Sequence, residues 1–157
     1  MRTGLLAAGI ALMVAGAPSA QNGAAIPPSH AVVGASHVIL RVADLTRSVS
    51  FYRDLLGLPL ASSSGEIAFF TAGSVTLMIQ QVPSPDTPSG GLAAFTEIVF
   101  DVRDIEATHR LLASRGIQFL TTPRVVNSDG TRELLAAAFR DPDGHALSIA
   151  EWVSRGL

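Results

Sequence analysis

The chain has 157 residues, 48% hydrophobic and 15% charged, which supplies one domain with a sizeable core and argues against wholesale disorder. Its formal net charge is -2, all 11 lysine-plus-arginine positions are arginine, and no block of like charge occurs. The clustered basic face that nucleic-acid binding needs is therefore missing, and the absence of cysteine excludes disulfides, thiolate nucleophiles and thiol-ligated metals.

In chain order, Arg2 gives a positive start, residues 5–17 form an apolar run and Pro18-Ser19-Ala20 supplies small residues, so residues 1–20 are predicted to be a secretory signal peptide. The run is shorter than the ~18 apolar residues a comfortable membrane span requires. The mature chain is expected to be exported, periplasmic or secreted, with no membrane association after cleavage. Residues 21–34 read as a flexible lead-in, and 35–154 as a single domain.

That domain opens on HVILRVADL (37–45), where Val38, Leu40 and Val42 alternate with His37, Ile39 and Arg41, the pattern of a strand with two unlike faces. Asp44 or Thr46 can cap a following helix. Val49, Tyr52 and Leu56 then recur at helical spacing beside Phe51 and Leu55, and Gly57 stops it. Strand candidates at 58–61, 66–70 and 75–80 complete a first module, 35–82. Residues 83–93, rich in proline and glycine, are a linker to a second module, 94–154.

The second module repeats the outline of the first, sixty residues on: EIVFDVRDI (97–105) matches HVILRVADL, with Glu97 in the place of His37. Asp104 caps its helix, Ile105, Ala107, Leu111 and Leu112 form the apolar stripe, and Gly116 stops it. Strand candidates follow at 118–121, 133–139 and 146–152. One βαβββ unit of this size buries too little surface to stand alone comfortably. The expected fold is therefore α+β, with two βαβββ modules in pseudo-twofold arrangement forming a curved, cup-shaped sheet with helices on its convex face.

On this fold His37 and Glu97 open the two halves and are expected to point into the shared hollow. A lone buried carboxylate is costly, so Glu97 needs a metal, His37 or a ligand cation as partner. Arg41 and Asp101 hold equivalent positions and are expected to meet as an ion pair between the modules, with anion binding by Arg41 as the other reading. Arg140 to Gly144 reads as a turn, and His109 and His145 as solvated. Phe69, Phe70, Phe95 and Trp152 divide between core and the lining of a ligand cavity. No G-x-S-x-G elbow or P-loop is present.

HVILRVADLTRSVSFYRDLLGL (37–58), EIVFDVRDIEATHRLLASRG (97–116) and FRDPDGHALSIAEW (139–152) together resemble the vicinal oxygen chelate superfamily, which includes glyoxalase I, extradiol dioxygenases and bleomycin resistance proteins. The resemblance implies a divalent-metal site with one ligand opening the first strand of each module, here His37 and Glu97, and one on each last strand. The late position falls at Ser148, and its first-module counterpart near Leu77. Serine is a weak ligand and leucine none, which leaves two strong donors where catalytic divalent sites generally have three or more. Glu151 is expected on the opposite face from Ser148. The implied function is that of a small-molecule-binding protein with an incomplete metal site, using Arg41, Phe95 and Ser148 in its cup. The alternative is a lyase, isomerase or dioxygenase that holds Fe, Mn, Ni or Zn on His37 and Glu97, with Glu97 exchanging as a catalytic base. Dimers are common among the proteins it resembles, so a homodimer is expected.

Overall fold

The computed structural model describes residues 35–83 and 96–155. The expected leader, the lead-in and nearly all of the linker lie outside them, as does Phe95. Its elements run β1 (His37–Val42), α1 (Leu45–Ser50, continuing through a π-type turn at Phe51–Leu55), β2 (Leu60–Ser64), β3 (Ile67–Ala72), β4 (Val75–Gln81), β5 (Glu97–Asp101), α2 (Ile105–Ser114), β6 (Arg124–Ser128), β7 (Arg132–Arg140) and β8 (Ala146–Ser154).

The duplication read in the sequence is present in the topology. One sheet has strand order β1-β4-β3-β2 and the other β5-β8-β7-β6. In each, the first strand runs parallel to the last and the remaining pairs are antiparallel. A parallel pair needs a crossover, which α1 supplies in the first module and α2 in the second. The fold is α+β, two βαβββ modules.

Asp44 and Asp104 cap the two helices as expected, accepting from the amides of Arg47 at 3.0 Å and Ala107 at 2.8 Å. A second cap comes from the last strand of each module. The Gln81 side-chain oxygen accepts from the Leu45 amide at 2.9 Å, and a Glu151 carboxylate oxygen accepts from the Ile105 amide at 2.8 Å. The charged cap also complements the helix dipole. Glu151→Ala is thus expected to cost about 1–2 kcal/mol and Gln81→Ala about 1 kcal/mol or less, an order that thermal unfolding of the two variants checks.

Two elements differ from the sequence reading. α1 loosens after Ser50 into a π-type turn in which the Leu56 amide reaches the Phe51 carbonyl at 2.9 Å, and this wider turn buries Phe51 and Tyr52 side by side. The strand expected at 118–121 is a single bridge, Phe119 to Phe139, and β6 begins at Arg124 instead. Ile117, 4% exposed, plugs the core there, so the chain turns inward before it can pair. Gly57 and Gly116 end the helices at φ +83° and +104°, a region that side chains other than glycine enter only with strain.

One apolar cluster serves both modules. Val42, Tyr52, Phe70, Leu77 and Ile79 from the first join Ile105, Leu112, Phe139, Leu147 and Ile149 from the second. Neither module closes this core by itself, which is the physical reason for the duplication.

Candidate functional site

The mixed faces of the central strands are set by register. His37, Ile39 and Arg41 on β1 stand beside Thr76, Met78 and Gln80 on β4, and Phe69 on β3 continues the row from Met78. All three β1 side chains are exposed. The His37 Nδ1 lies 2.8 Å from the Ser36 hydroxyl, and its ring meets Phe69 edge-on with centroids 6.5 Å apart. Phe70, by contrast, is fully buried in the core.

In the second module Glu97, Val99 and Asp101 are likewise exposed along β5, beside Ala146, Ser148 and Ala150 on β8. Ser148 is 3% exposed, held between Val99 on one neighbouring strand and Ala138 on the other. The register pairs Ser148 with Val99 as it pairs Met78 with Ile39, so the first-module counterpart is Met78, one residue on from Leu77. Leu77 faces the opposite way into the core. Glu151 does lie on the face away from Ser148, engaged with the start of α2.

β1 is hydrogen-bonded only to β4 and β5 only to β8, so within the described chain His37 and Glu97 belong to separate sheets. Among the described residues no three histidine, aspartate or glutamate side chains converge as metal ligands. With serine and methionine at the two late positions, the donor set does not fit the divalent metal that the fold implies.

The expected Arg41–Asp101 ion pair is not formed: no salt bridge joins them, because each strand has the last strand of its own module as its neighbour. A polar link between the modules is made instead by the Arg140–Gly144 turn, which reaches α1. Asp143 accepts from the Ala43 amide at 2.9 Å, from Arg47 at 2.9 Å and from the Ser48 hydroxyl at 3.3 Å. Asp141, 5% exposed, accepts from the Tyr52 hydroxyl at 2.8 Å, from the His145 amide and ring Nδ1, both at 2.8 Å, and from the Asp143 amide at 3.0 Å. Neither His109 nor His145 is free in solvent as expected, since His145 is half-buried in this cluster and His109 stacks on Phe119 with centroids 4.2 Å apart.

Burial raises the Asp141 carboxyl, but the hydrogen bond and charge of His145, with the Tyr52 hydroxyl, outweigh it and leave the group below the ordinary carboxylate value. The same contact with Asp141 holds His145 above the ordinary imidazole value despite burial. Burial, then the Asp141 charge, pushes the Tyr52 phenol well up, so it stays a donor.

A gap of about 820 Å3 opens between the modules beside the unpaired edge of β5. Val38, Leu77, Phe100, Leu112 and Ile149 are among its walls. Of the residues singled out in the sequence as site candidates, Glu97 lines it, while His37, Arg41 and Ser148 do not. Nothing in the local sequence marks this gap, because the β3–β4 turn that bounds it stands more than twenty residues from β5.

A family model described as the glyoxalase/bleomycin resistance protein/dioxygenase superfamily matches residues 34–149. A metallothiol transferase FosB from Staphylococcus saprophyticus is 24% identical over 117 residues, covering 73% of this chain and 74% of its own. A glutathione transferase FosA from Serratia marcescens is 30% identical over 122 residues, 73% of this chain and 77% of its own. Among solved structures, a glyoxalase/bleomycin resistance protein/dioxygenase from Alicyclobacillus acidocaldarius shares the fold at a TM-score of 0.64 and 18% identity, covering 78% of this chain and 93% of its own.

Proposed function

Because the chain belongs to the glyoxalase/bleomycin resistance protein/dioxygenase superfamily, we propose that it is an exported protein that binds a small molecule without a resident metal. The observation that carries this reading is the donor set: Ser148 and Met78 occupy the two register positions on the last strands, so neither contributes a carboxylate or imidazole. Glu97, which lines the gap between the modules, is then available for ligand contact.

The test loads purified protein with Fe, Mn, Ni or Zn and measures retained metal and melting temperature for the wild type and His37→Ala. A ligand that binds only the native state raises stability. The proposal expects no metal-linked shift in either protein. Stoichiometric metal that is lost on His37→Ala would replace it with the metal-dependent reading, of which thiol transfer is the version the relatives' names suggest.

Export rests on the composition of residues 1–20. Cell fractionation and N-terminal sequencing of the mature protein test it. A homodimer is supported by the unpaired edge of β1, which exposes Ile39 at 51%. Sedimentation over a concentration series tests that.

A further inference from the structure

We propose that the gap beside β5 takes an apolar ligand carrying a positive charge, such as an amine or guanidine on a hydrocarbon or aromatic body. The inference rests on the small-molecule reading above and names the class of ligand. At about 820 Å3 the gap has the size of a small-molecule site, for which roughly 300–1,000 Å3 is usual. Its walls are largely aliphatic and aromatic, from Val38 and Leu77 on one side to Phe100 and Ile149 on the other.

The charge comes from the rim of the gap. Glu97 and Asp101 line the gap, and no arginine or histidine does. Both are exposed on β5, and no salt bridge pairs either one among the described residues. They share the face of the strand opposite Ile98 and Phe100, four residues or ~13 Å apart, so one carboxylate stands at each end of the gap's rim. The polar remainder, Thr71, Ser74 and Thr108, is neutral. An acid entering this gap would meet two like charges and no countercharge, whereas a cation with an apolar body satisfies both the walls and a carboxylate. The rival occupant is a strand of a second copy laid along the free β5 edge.

Three probes of one shape separate these cases: phenylbutylamine, phenylbutanol and phenylbutyrate, each titrated into the full chain by calorimetry at low and high salt. The amine is expected to bind about tenfold or more tighter than the alcohol at low salt, and the acid most weakly. In the Glu97→Gln/Asp101→Asn double variant the amine falls to the level of the alcohol, whose own affinity is unchanged. Both sites are exposed, so the variant keeps its fold, which thermal unfolding verifies. Equal binding of amine and alcohol, or tightest binding of the acid, overturns the charge assignment and leaves small-molecule binding standing. Binding of none of the three overturns the site altogether. If Val99→Asp then converts a dimer to a monomer in sedimentation, the gap belongs to a second copy.

Discussion

Asp141→Ala is expected to lower the melting temperature by roughly 10–20 °C, one of the largest effects of any polar substitution in the molecule. The carboxylate is almost fully buried and takes four hydrogen bonds, from Tyr52, His145 twice and Asp143. Removing it strands a buried phenol, a half-buried imidazole and two amides. Breaking a buried charge network of this kind costs about 3–5 kcal/mol, and a domain of this size loses about 3–4 °C for each kcal/mol. Tyr52→Phe takes away one donor and leaves the other three, so it is expected to cost about 1–2 kcal/mol. Thermal unfolding of both variants checks the order. A loss for Asp141→Ala no greater than for Tyr52→Phe would mean that the turn holds its place without the carboxylate.

The same cluster sets a pH window. Asp141 titrates lower in the folded protein than its ordinary 3.8, so its contribution is present above that value and is lost as pH falls through the folded one. His145 titrates above its ordinary 6.5, so its contribution is complete below 6.5 and is lost as pH rises through the raised value. The clasp is strongest between the two. In His145→Gln, which keeps a donor but no titratable charge, the alkaline decline is expected to flatten.

The sequence made the repeat plain because it is written in short-range periodicity: Val38, Leu40 and Val42 against Ile98, Phe100 and Val102, with Asp44 and Asp104 following each strand. The contacts that join the modules were hidden for the opposite reason. Tyr52 and Asp141 are 89 positions apart, and a tyrosine in a helical stripe looks the same whether or not a carboxylate meets it. Asp141 and Asp143 were readable as turn residues, and they are that, but a turn signal does not say which surface the turn is pressed against. Arg41 and Asp101 misled because equivalence under a pseudo-twofold does not make two residues neighbours. The open edges of β1 and β5 keep them in separate sheets. β6 was misplaced since Gln118–Thr121 alternates well enough to pair, yet Ile117 has already committed that stretch to the core. The counterpart of Ser148, expected near Leu77, is Met78, and on a strand that one-residue step exchanges the two faces.

Ser148→Glu tests whether the missing donor is what separates this chain from a metal protein. The position is 3% exposed and its neighbours along and across the strands include Ala138, Ala146 and Ala150, so the site has little bulk but also little water. A carboxylate placed there without a partner is expected to cost about 2–4 kcal/mol. It would also stand on the face of β8 next to Glu97 of β5, and two carboxylates sharing a site repel unless a cation lies between them. Divalent manganese is therefore expected to recover part of the lost melting temperature in the variant, while leaving the wild type where it was. Recovery in both proteins would mean that the wild type already holds a complete set of ligands, contrary to the proposed function. Recovery in neither would move the shortfall from the number of donors to their placement, with His37 held in a separate sheet and unable to join the two carboxylates.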